Sequence, residues 1–226
     1  MRRSIPWPAL LALPFLVLAL PSAGQQRSDR IVTSMSAPRT AEPKAALAPA
    51  ALVSELRKGG YVLYFRHTAT DFSQSDAKSR GPTDCANQRN LTEKGREEAR
   101  SIGRAFAELG IPVGQVLASP MCRTDETAKL IFGKGEPAPA VRGDPEFPAA
   151  DPRHYEPLRK LLIAPVPLGT NLAISSHGNP FYRVAGPPRL QEGEMAVVKS
   201  VGSDFEVVAR VPPQAWRGIL AATRKE

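Results

Sequence analysis

Two spacings of apolar residues alternate along this chain, and each predicts a different element. Leu52, Val53 and Leu56 fall on one side of a helix over 51–58, which the pair Gly59-Gly60 ends as a C-cap. Tyr61 to Phe65 follow with no polar alternation, the pattern of a strand buried on both faces of a parallel sheet. From Arg66 to Arg89 the chain turns polar around the breaker Gly81-Pro82, which predicts a loop. Thr92 is placed to cap a helix with Glu93 in its first turn. Ala99, Ile102, Phe106 and Leu109 form its apolar face, and Gly110 closes it. A second buried strand is predicted over 115–118, a helix over 123–132, an irregular Pro- and Gly-rich stretch over 133–152, and a helix over 155–163. A third buried strand covers 171–175, and two β-prone runs, 195–199 and 205–211, make a hairpin around Gly202-Ser203. Strands alternating with helices imply a three-layer α/β/α domain with a mostly parallel sheet and an antiparallel edge.

The first residues follow neither spacing. Arg2 and Arg3 precede an uncharged apolar run, Leu10 to Leu20, and the small residues Ser22, Ala23 and Gly24. This is the three-part pattern of a secretory signal peptide over 1–24, and the run is short for a membrane span and contains Pro14. A leader rich in Ala, Ser and Pro over 25–49 would then connect it to a domain over 50–226. The expected location is the periplasm or the exterior, with no membrane insertion after cleavage. An uncleaved anchor would leave the domain on that same side.

Composition changes this picture only slightly. A chain of 226 residues, 42% of them hydrophobic, can bury the core of one α/β domain and is short for two. The formal charge of +8 suits nucleic acid, an anionic surface or an anionic small molecule equally. No Lys/Arg stripe is interleaved with aromatics, so nucleic acid is not expected. The two cysteines, Cys85 and Cys122, are candidates for one disulfide in an exported domain, the alternative being two independent buried thiols.

The candidate chemistry lies at the strand ends. Arg66-His67 follows the first strand, Ser119 to Arg123 the second, and His177 the third. In an open parallel sheet the crevice outside the carboxyl ends of the strands binds ligands, so topology alone gathers these residues. Arginine matches phosphate oxygens with a planar fork, and imidazole can take up a phosphoryl group. A charged second imidazole can donate to a non-bridging oxygen. Two histidines with scattered carboxylates could also bind a divalent ion. With no His-x-His or paired-Cys spacing, and arginines alongside, neither metal nor cofactor is expected.

These segments resemble the signatures of the histidine phosphatase superfamily (phosphoglycerate mutase-like, branch 1). Tyr61 to Thr68 resembles its strand and Arg-His motif, and Asn90 to Ala99 its Leu-Thr helix start. Ser119 to Ala128 resembles its Ser-Pro-x-x-Arg segment, and Ile174 to Asn179 the strand carrying the second histidine. The resemblance implies a phosphoglycerate mutase-like fold with His67 as nucleophile and Arg66, Arg123 and His177 around the phosphoryl oxygens. It also implies hydrolysis of a phosphomonoester on a small molecule or surface glycan. An anion-binding module without turnover is the alternative. The carboxylic acid that protonates the leaving group in many relatives is missing from its place, where Ala149 stands. Glu194, Asp151 and Glu146 are the candidate substitutes, Glu194 foremost because it opens a strand that begins at the pocket end of the sheet. Arg89 could add to the positive field, and His154, which fits no motif, is expected on the surface.

Overall fold

The computed structural model describes residues 40–43, 45, 47–144 and 146–224. The signal peptide read over 1–24 and the leader up to residue 39 lie outside the described residues. Part of the expected leader is packed: Ala41 is buried, and its N–H and the Thr40 hydroxyl both donate to Pro187 O, at 2.8 and 3.0 Å.

The described residues form a mixed sheet of six strands with helices on both faces. In chain order the elements are α1 (Pro49–Lys58), β1 (Val62–Arg66), α2 (Glu93–Leu109), β2 (Val113–Ala118), α3 (Cys122–Phe132) and β3 (Glu136–Pro137). They continue with α4 (Glu156–Ile163), β4 (Asn171–Ser176), α5 (Gly178–Ala185), β5 (Met195–Val201), β6 (Asp204–Val211) and α6 (Trp216–Thr223). The strand order is β3-β2-β4-β1-β5-β6. The pairs among β1 to β4 are parallel, while β5 runs antiparallel to both β1 and β6.

The uninterrupted apolar run of β1 feeds two cores at once. Leu63 and Phe65 point into the cluster formed with α1, α2 and α6, and Val62 and Tyr64 into the one formed with α4 and α5. A strand with both faces covered needs apolar side chains at every position, which is why no alternation is seen. Phe65 and Phe106 lie 5.9 Å apart between ring centres, and burying each such ring contributes roughly 1.5–3 kcal/mol.

Helix α2 begins as its sequence specifies. The Thr92 hydroxyl accepts the N–H of Gly95 at 2.9 Å, and Gly110 adopts the left-handed conformation that stops the helix. Gly95 has a second reason to be glycine: a Cβ there would lie 2.1 Å from Ala69 O, so the first turn of α2 rests directly on the backbone just past β1. Thr92 N–H donates to the same carbonyl at 3.0 Å.

Two helices have no counterpart in the sequence reading. Helices α5 and α6 are eight residues each, and α5 carries Pro180 in its first turn, where proline is tolerated. No described helix is long and apolar enough to cross a membrane.

Candidate active site

Backbone hydrogen bonds beyond the ends of the paired strands bring the predicted residues together. His67 N–H donates to Ser176 O at 3.0 Å, Ser119 N–H to Ser175 O at 2.9 Å, and Gly193 N–H to His67 O at 2.9 Å. The segments carrying Arg66-His67, Ser119–Arg123 and His177 therefore meet at the carboxyl edge of β1, β2 and β4. His67, His177, Arg66 and Arg123 all line one cavity of about 700 Å³.

His67 is buried, and its Nδ1 lies 3.0 Å from Thr68 O. A carbonyl only accepts, so Nδ1 carries the proton and the lone pair rests on Nε2. Burial lowers the His67 pKa to about 3, against the hydrogen bond to Thr68 O that favours the charged ring, and Arg123, Arg66 and Arg89 add to the lowering. Thr68 is itself held by Thr127, whose Oγ1 accepts the Thr68 N–H at 3.3 Å while donating to Arg123 O at 2.7 Å. The imidazole is thus neutral near pH 7 and fixed in one tautomer.

His177 stands at the N-cap of α5, with its ring centre 5.6 Å from that of His67. Its Nε2 shares a 2.9 Å hydrogen bond with Ser119 Oγ, and burial followed by the nearby Arg123 holds its pKa well below the usual imidazole range. The first turn of α5 has no side-chain cap, and Gly178 and Asn179 line the cavity there. An uncapped helix N-terminus favours an anion through its free N–H groups.

The two predicted arginines are anchored from behind. Arg66 donates from Nη1 to Leu190 O at 2.8 Å and approaches Glu192 at 3.4 Å. Arg123 is buried and forms a two-pronged pair with Asp76, 3.0 Å on each prong. Burial raises the Asp76 pKa, but the Arg89 N–H and the Arg123 guanidinium outweigh it and hold the carboxyl below its ordinary range. The Nε atoms of Arg66, Arg89 and Arg123 are buried without a hydrogen-bond partner.

Cys85 and Cys122 are joined in a disulfide with a Cα–Cα distance of 5.6 Å. It fastens the polar loop carrying Asp76 and Arg89 to the start of α3, beside Arg123. Gln88, buried in the same loop, tightens the junction: its Oε1 accepts the Cys122 N–H at 3.0 Å, and its Nε2 donates to Pro82 O at 2.8 Å. Gln88 was missed by the sequence reading, because a lone glutamine in a polar loop carries no signal.

The expectation for Glu194 is corrected. The residue does lie at the pocket end of β5, but its buried carboxylate is clasped by Arg210 of β6 at 2.7 and 2.8 Å and also accepts the Gln191 N–H. It does not line the cavity. Its neighbour two residues back is the carboxylate close to the reactive end: Glu192 accepts from Thr70 Oγ1 at 2.6 Å and lies 3.9 Å from His67 Nδ1. Asp151 caps the turn at 152–155 and pairs with Arg153, whose hydrogen bonds lower its pKa to about 2, the wrong direction for a proton donor. Glu146 is exposed and outside the cavity lining, whereas Ala149 is in it.

His154, expected on the surface, is half-buried and lines the cavity. Its Nδ1 lies 2.8 Å from Phe147 O, and its Nε2 edge covers Gly143, where a Cβ would be only 2.0 Å away. Arg89, Arg142 and Arg189 complete the charged part of the wall, and no Asp or Glu is among the lining residues. Among the described residues no group of three or more His, Cys, Asp or Glu could hold a metal ion.

A mostly parallel sheet whose strand ends deliver two histidines and several arginines into one cavity with no lining carboxylate defines the class: an α/β protein with a histidine–arginine pocket. Comparison with known proteins narrows it. Residues 62–147 match the model of the histidine phosphatase superfamily (branch 1). Among curated relatives, the serine/threonine-protein phosphatase Pgam5 (mitochondrial) of Drosophila persimilis is 47% identical over 45 residues, 20% of this chain and 16% of that protein. The Pgam5 of Drosophila ananassae is 36% identical over 77 residues, 34% of this chain and 23% of that protein. The aligned stretches thus span less than a quarter of either relative. Among solved structures, SixA from Agrobacterium tumefaciens aligns over 68% of this chain and 99% of its own at 15% identity, with a TM-score of 0.48.

Proposed function

We propose that the protein is a phosphatase that hydrolyses a phosphomonoester through a phosphohistidine on His67, in the periplasm or outside the cell. The observation that carries this reading is the state of His67: neutral, held in one tautomer by Thr68 O, and set in an arginine-lined cavity. In the first step Nε2 attacks phosphorus, the P–N bond forms and the ester P–O bond breaks. In the second step water attacks the phosphohistidine, releases inorganic phosphate and returns Nε2 to its starting state. Arg66 and Arg123 take the non-bridging oxygens, Arg123 exchanging one carboxylate, that of Asp76, for the phosphoryl group. His177 and the first turn of α5 support the charge that builds on those oxygens. The leaving oxygen needs a proton, and no lining carboxyl can give it. His154, whose imidazole lines the same cavity, is the residue to which we assign that proton transfer.

The test is turnover of phenyl phosphate by the purified protein at pH 5–7. Wild type releases phosphate, and His67→Ala loses on the order of 10³-fold or more in rate. Equal rates for the two proteins contradict the reading, and tight vanadate binding without turnover by wild type favours an anion-binding module.

A further inference from the structure

Transfer of a phosphoryl group to Nε2 of His67 creates a charge that its surroundings oppose. Nδ1 keeps its proton against Thr68 O, so a ring whose Nε2 lone pair has gone to phosphorus is positively charged. Burial, and then Arg123, Arg66 and Arg89, disfavour that charge, and the cavity wall has no carboxylate to balance it. A carboxylate stands behind the ring instead. Glu192 Oε1 lies 3.9 Å from His67 Nδ1, and the residue is not part of the cavity lining. Its side chain is only 16% exposed and is held at both oxygens. Oε2 accepts the N–H of the buried Thr70 at 3.1 Å, and Oε1 accepts its hydroxyl at 2.6 Å. The backbone is fixed as well, because the next residue, Gly193, donates its N–H to His67 O. The left-handed φ of 76° at Gly193 lets this turn press against Glu98 of α2, where a Cβ would lie 2.9 Å from Oε2. Arg66 approaches the same Glu192 Oε1 at 3.4 Å. When Arg66 turns to the phosphoryl oxygens, the charge of Glu192 is left to face the ring.

We propose that Glu192 is a positioning residue for the reaction: its charge, held behind His67, stabilises the positively charged phosphohistidine. This rests on the phosphatase reading and assigns the carboxylate opposite effects on the two steps. In the first, the Nε2 lone pair forms the P–N bond, and the ester oxygen leaves with the P–O electron pair and takes up a proton. Glu192 favours the charge that appears on the ring and so speeds this step. In the second, a water oxygen forms the new P–O bond and the P–N electron pair returns to Nε2. The residue that protonated the leaving oxygen takes back a proton from the water. The ring loses its charge here, so Glu192 slows this step. Attraction between charges at this distance in a partly buried site is worth about tenfold to a hundredfold in rate. The competing explanation is that Glu192 only braces Arg66 and Thr70, in which case its loss disturbs both steps alike.

The experiment separates the two steps in Glu192→Gln, whose amide oxygen can still accept from Thr70. Rapid quench with ³²P-labelled phenyl phosphate is expected to show phosphorylation slowed by about tenfold to a hundredfold. Hydrolysis of the phosphohistidine stays unchanged or becomes faster, and the labelled fraction at steady state falls. Glu192→Asp keeps the charge and recovers a good part of the phosphorylation rate. Calorimetry adds a readout without turnover, using vanadate, which can bond to Nε2, and sulfate, which meets only the arginines. Vanadate binds Glu192→Gln about tenfold more weakly than wild type, while sulfate stays within about threefold and reports an intact pocket. A wild type that never turns over sinks the phosphatase reading, and the ratio of vanadate to sulfate affinity still decides the role of Glu192. That role is overturned if both steps slow together in Glu192→Gln, if vanadate and sulfate weaken equally, or if the variant matches wild type in both assays.

Discussion

At the scale of single residues, two carboxylates two positions apart have different fates. Glu194 and Glu192 both precede β5, and sequence alone gives no way to tell which one faces the reactive end. Arg210, paired opposite Ala196 on β6, decides it by clasping Glu194. Removing one partner of a buried ion pair leaves the other charge uncompensated. Glu194→Gln is therefore expected to lower stability by about 3–5 kcal/mol in urea titration while the folded fraction keeps its turnover of phenyl phosphate. A variant of unchanged stability with a hundredfold lower kcat would show instead that Glu194 is the acid.

His67 makes a second prediction. Its folded pKa of about 3 lies below the ordinary imidazole value, so the unfolded chain binds more protons in the window between them. The resulting stability is complete above about pH 6.5 and is lost as pH falls toward 3. Between pH 7 and pH 5 wild type should lose on the order of 2 kcal/mol more than His67→Gln in urea titrations. Parallel profiles for the two proteins would show that the ring is not held neutral. The identities of His67, Arg66, Arg123 and His177 were legible because each lies at the carboxyl end of a strand or in the segment just past it. Their partners Ser119, Asp76 and Glu192 were not assigned these contacts, since a contact across more than forty residues leaves no local pattern.

At the scale of elements, those with a clear apolar pattern or marked ends were the readable ones. The seventeen residues of α2 repeat their apolar face over several turns and carry a capping threonine and a closing glycine, so both ends are marked. Helices α5 and α6 match α4 in length at eight residues, but Pro180 and Gly218 weaken their pattern, whereas Leu158, Leu161 and Leu162 mark α4. Strand β3 is two residues long and exists through its pairing with Leu117 and Ala118. The loop over 66–89 was legible as a loop, while its order comes from the bond to α3. The Cys85–Cys122 link spans 37 residues, and closing a loop of that length restricts the unfolded chain by about 3–4 kcal/mol. Cys85→Ser/Cys122→Ser should lose a comparable amount of stability in urea and become sensitive to proteolysis between Asp71 and Arg89. An unchanged urea midpoint would mean that Gln88 and the Asp76–Arg123 pair hold the loop unaided.

At the scale of the whole molecule, the order of the segments carried more information than any one of them. An Arg-His pair after a strand is usually an unremarkable polar loop entry. Three such strand ends in the parallel part of one sheet converge by topology, and β2, β4 and β1 are consecutive strands here. Charge is where sequence and structure differ most. A formal +8 is uninformative about function, yet five arginines without a lining carboxylate concentrate that excess on one cavity. His67 is the group on which every step of the proposed reaction depends. The most direct measurement is acid-free rapid quench of the protein turning over ³²P-labelled phenyl phosphate, followed by peptide mapping at alkaline pH. The expected result is an acid-labile, base-stable label on the peptide containing His67, absent in His67→Ala. Turnover without any protein-bound label, or a label that persists in His67→Ala, would contradict a phosphohistidine at this residue.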